Sequence, residues 1–219
     1  MVYAIVQSPS RIYFLVTGTG EDSWEGYSYI NANREEFLPL CSAPIIYKEV
    51  LYCVDCNGTL GTYDLQSDGD TWSVLKKPRK VFNDDMNPIF LVECGGDLLS
   101  VKLGHLGMPV RIFRLDLSEM EWVEVETLGK HMLFISKASC LSALAPDSRM
   151  ENKIYFPRLC LNGEGILSYS LDTSSYCSSG QNQHFPSNFY ETEGWFSNCT
   201  WIQPNWSKST AHELDWLRD

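Results

Sequence analysis

The stretch LYCVDCNGTLGTYDL, residues 51–65, decides the fold class of this sequence. Two apolar runs rich in β-branched and aromatic residues flank the dipeptide Asn57-Gly58, which favours a two-residue type I′ turn because both residues tolerate positive φ. The stretch therefore predicts a β-hairpin. Its Cys53 and Cys56 also have the Cys-x-x-Cys spacing found in some metal and redox sites.

The hairpin is one copy of a repeated unit of about 50 residues. An aromatic residue recurs at intervals of 48, 50 and 54 residues, at Trp24, Trp72, Trp122 and Tyr176. Before three of these markers a predicted strand ends in an aspartate, at Asp64, Asp116 and Asp172. Strands also fill most of the remaining chain, because short apolar runs alternate with Gly, Pro, Asn and Asp.

A unit of about 50 residues with four strands is typical of a kelch-type propeller blade. A blade has two apolar faces, which neighbouring blades cover around a central axis, and the periodic aromatic on the outermost strand would pack between adjacent sheets. We therefore predict an all-β fold, a kelch-like β-propeller that forms a partial ring of about four four-stranded blades. The alternative is an ordinary β-sandwich with coincidental tryptophan spacing.

The predicted propeller spans residues 1–204, with an incomplete first blade. Residues 205–219 form a C-terminal tail, in which Thr210 and Glu213 have the capping-box spacing of a short helix. A frayed tail is the alternative for this segment.

The formal net charge is −11, so a nucleic acid is not an expected partner. The one basic cluster, residues 76–80, fits either a nuclear-import patch or a solvated loop between strands. No apolar run reaches 18 residues and the N-terminus lacks the features of a signal peptide. We therefore expect no membrane partner, a cytoplasmic or nuclear location, and reduced cysteines.

Residues for catalysis or for a cofactor do not cluster in the sequence. The four histidines are scattered, and neither a Gly-x-Ser-x-Gly elbow nor a P-loop is present. Cys53 and Cys56 lack the second ligand pair of a structural zinc site, and their side chains would point to opposite faces of a strand. We predict that the protein is not an enzyme, that it has no cofactor, and that these two cysteines share neither a metal nor a disulfide.

Several segments carry a family resemblance: FLVECGGDLLSVKL at 90–103, VRIFRLDLSEMEWVEVETLGKHMLFIS at 110–136, CLSALA at 140–145, NKIYF at 152–156 and WIQP at 201–204. They resemble the plant F-box proteins with a kelch-like C-terminal region, often catalogued as domain of unknown function 295. The resemblance implies a β-propeller that recognises a protein target, joined in the family to an F-box that docks a Skp1-type adaptor of a cullin ubiquitin ligase. No F-box precedes the first predicted strand, so we expect adaptor binding only if a longer chain supplies one.

A protein-binding site is predicted where one hairpin departs from the shortest turn. The connection between second and third strands is tight at Ser8-Pro9, Asn57-Gly58 and Asn162-Gly163, but it expands to residues 104–109 in the remaining blade. This loop exposes apolar area that a hairpin does not need. We predict that the target contacts His105, Leu106 and Met108.

Other interpretations stay open from the sequence. The long connection could be an unconstrained loop, and the loop at residues 84–87 is the next candidate for target binding. The alternative functions are a small-molecule or sugar-binding propeller, lectin-like or enzymatic, and a truncated product without ligase activity.

Overall fold

The computed structural model describes residues 2–8, 11–17, 25–30, 37, 43–55, 58–64, 72–75, 88–159, 166–178 and 200–202. Almost all regular structure in these ranges is β-strand, with one short 3-10 turn at His105–Gly107. No helix in the described part of the chain is long and apolar enough to cross a membrane. The strands are β1 (Val2–Ser8), β2 (Arg11–Thr17), β3 (Glu25–Ile30), β4 (Ile45–Tyr47), β5 (Val50–Val54), β6 (Leu60–Asp64), β7 (Trp72–Val74), β8 (Ile89–Cys94), β9 (Asp97–Leu103), β10 (Val110–Asp116), β11 (Glu121–Val125), β12 (His131–Ile135), β13 (Cys140–Leu144), β14 (Lys153–Leu159), β15 (Ile166–Ser170) and β16 (Ser175–Ser178).

Two of the sheets are the four-stranded antiparallel meanders that the repeat predicts. One consists of β4–β7 and the other of β8–β11, each in chain order. Trp72 lies on the outer strand β7 opposite Tyr63, and Trp122 lies on the outer strand β11 opposite Leu115. Trp122 is fully buried, whereas Trp72 is half-buried with its ring 5.5 Å from that of Phe37. The predicted position of both tryptophans is confirmed, and Trp72 is less buried than expected.

The β8–β11 sheet is covered on both faces. Ile89 and Leu91 of β8 join a core cluster with the β4–β7 sheet, whereas Phe90 and Val92 join a second cluster with the last sheet. Alternate residues of a strand point to opposite faces, so one strand contributes to both cores. Each fully buried side chain of this size contributes about 1.5–3 kcal/mol relative to its exposed state. This burial is what a propeller blade between two neighbours requires.

The hairpin around Gly58 has a longer connection than the two-residue turn we predicted. Asp55 N donates to Thr59 O at 3.0 Å, and Gly58 N donates to Asp55 O at 3.1 Å. Three residues therefore lie between the hydrogen-bonded residues Asp55 and Thr59. Gly58 has a φ of 80°, and Thr59 N donates to Asp55 Oδ1 at 2.7 Å. A connection of this length differs from the two-residue type I′ turn that we predicted. Several residues of the predicted turns lie outside the described ranges, namely Cys56, Asn57, Pro9 and residues 162–163.

The two-residue turns with positive φ lie instead between the first and second strands. Lys48 and Glu49 have φ values of 48° and 65°, and Gly95 and Gly96 have 61° and 87°. Two positive φ angles in succession characterise the type I′ turn. Tyr47 OH donates to Gly96 O at 2.7 Å, so the equivalent turns of neighbouring blades are hydrogen-bonded to one another.

The last sheet departs from the predicted four-stranded meander. Its strand order is β13-β12-β14-β15-β16, and β12 runs parallel to β14 with Phe134 opposite Tyr155. Strand β13 is therefore at an edge of this sheet, where it lies against β8. The sheet of β1–β3 has three strands. The predicted all-β propeller fold is confirmed, while the expected uniform count of four strands holds for two of the four sheets in the described ranges.

Candidate protein-binding surface

The loop at residues 104–109 has a defined conformation. Gly104 N donates to Pro109 O at 2.8 Å across the base of the loop, and Gly107 N donates to Gly104 O at 2.9 Å within it. Met108 N donates to His105 O at 3.1 Å. A side chain at position 104 would collide with the carbonyl oxygen of Met108, so this close approach requires glycine.

A hydrogen bond from Tyr176, in the last sheet, stabilises the conformation of this loop. Tyr176 OH donates to Gly107 O at 2.6 Å, and Tyr176 itself is 1% exposed. Burial raises the pKa of Tyr176 far above its ordinary value, so the hydroxyl stays a donor at any physiological pH. The loop is therefore ordered before any partner arrives, which lowers the entropy cost of binding.

The side chains of the three predicted site residues differ in their exposure. His105 is exposed, and Leu106 is 40% exposed with a φ of 58°, a conformation that is strained for leucine. Met108 is half-buried and packs against the core between the β8–β11 sheet and the last sheet. His105 and Leu106 thus have the more exposed side chains, and the role of all three residues in target binding stays a prediction.

A cleft of about 520 Å³ begins directly after this loop, at Val110. It lies where the ends of β10 and β11 meet the turn between β15 and β16. The lining includes apolar side chains at Val110, Ile112, Val125, Tyr169 and Leu171. The charged side chains that line it are Arg111, Glu124, Glu126 and Asp172.

Asn152 organises one wall of the cleft. Its Oδ1 accepts from Leu128 N at 2.7 Å and from Thr127 Oγ1 at 3.3 Å, and its Nδ2 donates to Asp172 Oδ1 at 2.6 Å. Asn152 is buried and has a φ of 56°, which asparagine tolerates better than most residues. Sequence reasoning missed this residue, although it opens the NKIYF segment directly before a strand.

Arg111 and Glu124 form an ion pair across β10 and β11. Arg111 Nε donates to Glu124 Oε1 at 2.6 Å, and a second bond joins the terminal nitrogen to the other oxygen. The hydrogen bond to Glu124 raises the pKa of Arg111. The guanidinium carbon also lies 5.1 Å from the centroid of the Phe113 ring. Because both side chains are well exposed, the pair contributes at most about 1 kcal/mol to stability.

Cys53 is buried and its thiol is protonated. Burial raises the pKa of Cys53 to about 12, so it is not a reactive thiolate at neutral pH. Its sequence neighbour Cys56 lies outside the described residues, as do the basic cluster 76–80, the loop 84–87 and the tail 205–219. Among the residues that the structure describes, no three His, Cys, Asp or Glu side chains are grouped so as to hold a metal ion.

A family model described as the KIB1-4 beta-propeller matches residues 1–183. The chain belongs to this family. It is 28% identical over 173 residues to F-box/kelch-repeat protein At1g57790 of Arabidopsis thaliana, covering 77% of this chain and 47% of that protein. It is 26% identical over 177 residues to Putative F-box protein At3g25750 of the same plant, covering 76% and 47%. A further relative, F-box protein At2g26160, is 26% identical over 150 residues, covering 63% and 44%.

These comparisons confirm the predicted resemblance to plant F-box proteins with a propeller region. The chain spans about half the length of the curated relatives that it matches. The propeller family and the names of the relatives together support a protein-interaction domain. The names of these relatives do not state what they bind.

Proposed function

We propose that this chain is the target-recognition propeller of an F-box subunit of an SCF-type ubiquitin ligase. The observation that carries the proposal is the match of residues 1–183 to the KIB1-4 beta-propeller, together with three relatives that are named F-box proteins. In this role the propeller is not an enzyme. It binds a protein and presents it to the ligase in the cytoplasm or the nucleus.

Among the described residues, the loop at 104–109 is well suited to first contact with a target. Leu106 exposes apolar area on a loop that is already held by the Tyr176 hydrogen bond. Binding energy in protein interfaces is concentrated in a few side chains that enter pockets of the partner. A preordered exposed leucine gains this energy without an additional cost of ordering the loop.

In this proposal the Skp1-type adaptor binds the F-box and not the propeller. The chain covers 44–47% of its curated relatives, so we assign adaptor binding to a longer polypeptide that also contains an F-box. A sugar-binding propeller is not favoured, because such sites use an exposed aromatic face. Tyr169, the aromatic residue that lines the cleft, is 2% exposed.

The test compares the 219-residue chain with the same chain fused to the F-box of an F-box/kelch-repeat relative, each carrying a proximity-labelling enzyme in plant cells. We expect both forms to label the same proteins, and only the fusion to co-purify with a Skp1-type adaptor and to increase ubiquitylation of a labelled protein. Leu106→Asp is the matched variant, because it changes an exposed side chain. If wild type and Leu106→Asp label identical sets of proteins, target recognition by this loop is refuted.

A further inference from the structure

The cleft beside the 104–109 loop has a chemistry that restricts the kind of target segment it fits. Its volume of about 520 Å³ suits one or two side chains and not a folded domain. Val125 and Leu171 are half-buried and contribute accessible apolar lining, whereas Ile112, which also lines the cleft, is buried. A side chain that occupies this cleft can therefore pack an aliphatic portion against these two residues.

The rim of the cleft carries more negative than positive charge. Among the described residues that line it, Arg111 is the one basic side chain, and Glu124 already pairs with it. Glu126 and Asp172 come from different sheets and form no ion pair within the described ranges. Among the described residues, Asp172 accepts a hydrogen bond from the neutral amide of Asn152, at 2.6 Å, which does not balance its charge.

The hairpin beside the cleft already pairs one guanidinium group of the chain with a carboxylate. The guanidinium of Arg111 is hydrogen-bonded to Glu124 and lies beside the Phe113 ring. Planar guanidinium groups match carboxylates with two parallel hydrogen bonds and are weakly hydrated, so they enter half-buried clefts more readily than ammonium groups. Glu126 and Asp172, which line the cleft, are carboxylates of the kind that a second guanidinium group can pair with.

We propose that the cleft binds an arginine side chain from a basic segment of the target protein. Its aliphatic stem packs on Val125 and Leu171, and its guanidinium pairs with Glu126 and Asp172. The net charge of −11 on the chain favours the approach of such a segment. This inference rests on the proposed function, because it names the chemistry of the target recognised there.

The direct test is an NMR titration of the full chain with a capped Gly-Arg-Gly-Arg-Gly peptide. The matched probe has citrulline in place of arginine, which keeps the shape and removes the charge. The reporters are the side-chain amide of Asn152 and the backbone amide of Leu171. We expect the arginine peptide to bind about tenfold more tightly than the citrulline peptide, with the difference shrinking as salt is added.

Two double variants, each of which removes two negative charges, distinguish binding in the cleft from general electrostatic attraction. Glu126→Gln with Asp172→Asn should abolish the preference for arginine, and the asparagine oxygen still accepts from Asn152. Glu119→Gln with Glu121→Gln changes the other end of the β10–β11 hairpin and should preserve the preference. Melting temperatures of both variants establish that the fold is retained.

The outcomes for this inference and for the proposed function are distinguishable. Equal affinity for the two peptides, no shift at Asn152, or an equal loss in both double variants overturns the arginine assignment. If proximity labelling still depends on Leu106, the proposed function survives that result. Conversely, Leu106-independent labelling refutes the loop as the recognition site whatever the peptides show.

Discussion

Tyr176→Phe tests whether the 104–109 loop is held in place by the sheet behind it. The hydroxyl donates to Gly107 O at 2.6 Å, and both residues are buried. Phenylalanine keeps the ring and its contact with Tyr169, whose centroid lies 5.2 Å away, and removes the donor. The buried carbonyl then loses this partner, so we expect the free energy of unfolding to fall by about 1–3 kcal/mol.

The assay is urea unfolding of the full chain, supported by thermal unfolding. A loss of this size lowers the melting temperature of a chain of this length by roughly 2–4 °C per kcal/mol. Tyr155→Phe is the matched control, because its half-buried ring stacks on Phe134 at 5.2 Å and its hydroxyl has no hydrogen-bond partner among the described residues. We expect the control to stay within about 0.5 kcal/mol of wild type.

Amide hydrogen exchange locates the effect in the structure. The amides of Gly107 and Met108 donate within the loop, at 2.9 and 3.1 Å, and they should exchange faster in Tyr176→Phe than in wild type. The amides of β8 and β9 should change much less. If Tyr176→Phe matches Tyr155→Phe in stability and leaves exchange at Met108 unchanged, the loop does not depend on this hydroxyl and the argument for its preorganisation fails.

Four further substitutions test the blade packing, the cleft and the buried thiol of Cys53. Trp122→Ala should lower the free energy of unfolding by about 3–5 kcal/mol, and Trp72→Ala by clearly less, because Trp72 is only half-buried; equal urea midpoints would contradict the blade packing. Asn152→Ala should cost about 1–3 kcal/mol because the buried Leu128 amide loses its acceptor, and unchanged exchange at that amide would argue against this role. Cys53 has a pKa raised from 9.0 to about 12, so the stability it contributes as a thiol is fully present below pH 9.0 and is lost as the pH rises toward about 12. Cys53→Ala should therefore flatten the decline of the urea midpoint above pH 9.0, and an identical decline in both proteins would show that this thiol does not titrate as described.

Local chemistry explains why the strands and the tryptophan positions could be predicted. Alternation along a strand and turn residues are encoded within a few positions, so Trp72 and Trp122 could be placed on outer strands from their spacing alone. The Asn57-Gly58 dipeptide fits both a type I′ turn and a glycine bulge. In the structure the Asp55 carboxylate accepts from Thr59 N, a contact that the dipeptide alone does not encode.

Non-local pairing explains what the sequence did not predict. The parallel pairing of β12 with β14 joins strands separated by the whole β13 segment, and neither strand carries a pattern that specifies it. The cleft likewise brings together residues of β10, β11, Asn152 and the β15–β16 turn. Met108 was predicted to contact the target because it is apolar and in a long loop; its contact with the core, which the sequence did not predict, is set by packing between sheets.

The proposed binding surface is assembled across the boundary between two sheets, and this couples its affinity to the stability of that boundary. Leu106 lies between two strands of the β8–β11 sheet, and Glu126 directly follows its last strand. From the last sheet, Tyr176 hydrogen-bonds to Gly107 and Asn152 hydrogen-bonds to Leu128. A target that contacts both sides stabilises the folded chain by mass action. A substitution that loosens the boundary weakens binding without touching the target, because the loop must then be ordered on association. Affinity and stability must therefore be measured on the same variants: Leu106→Asp should lower affinity alone, and Tyr176→Phe should lower both.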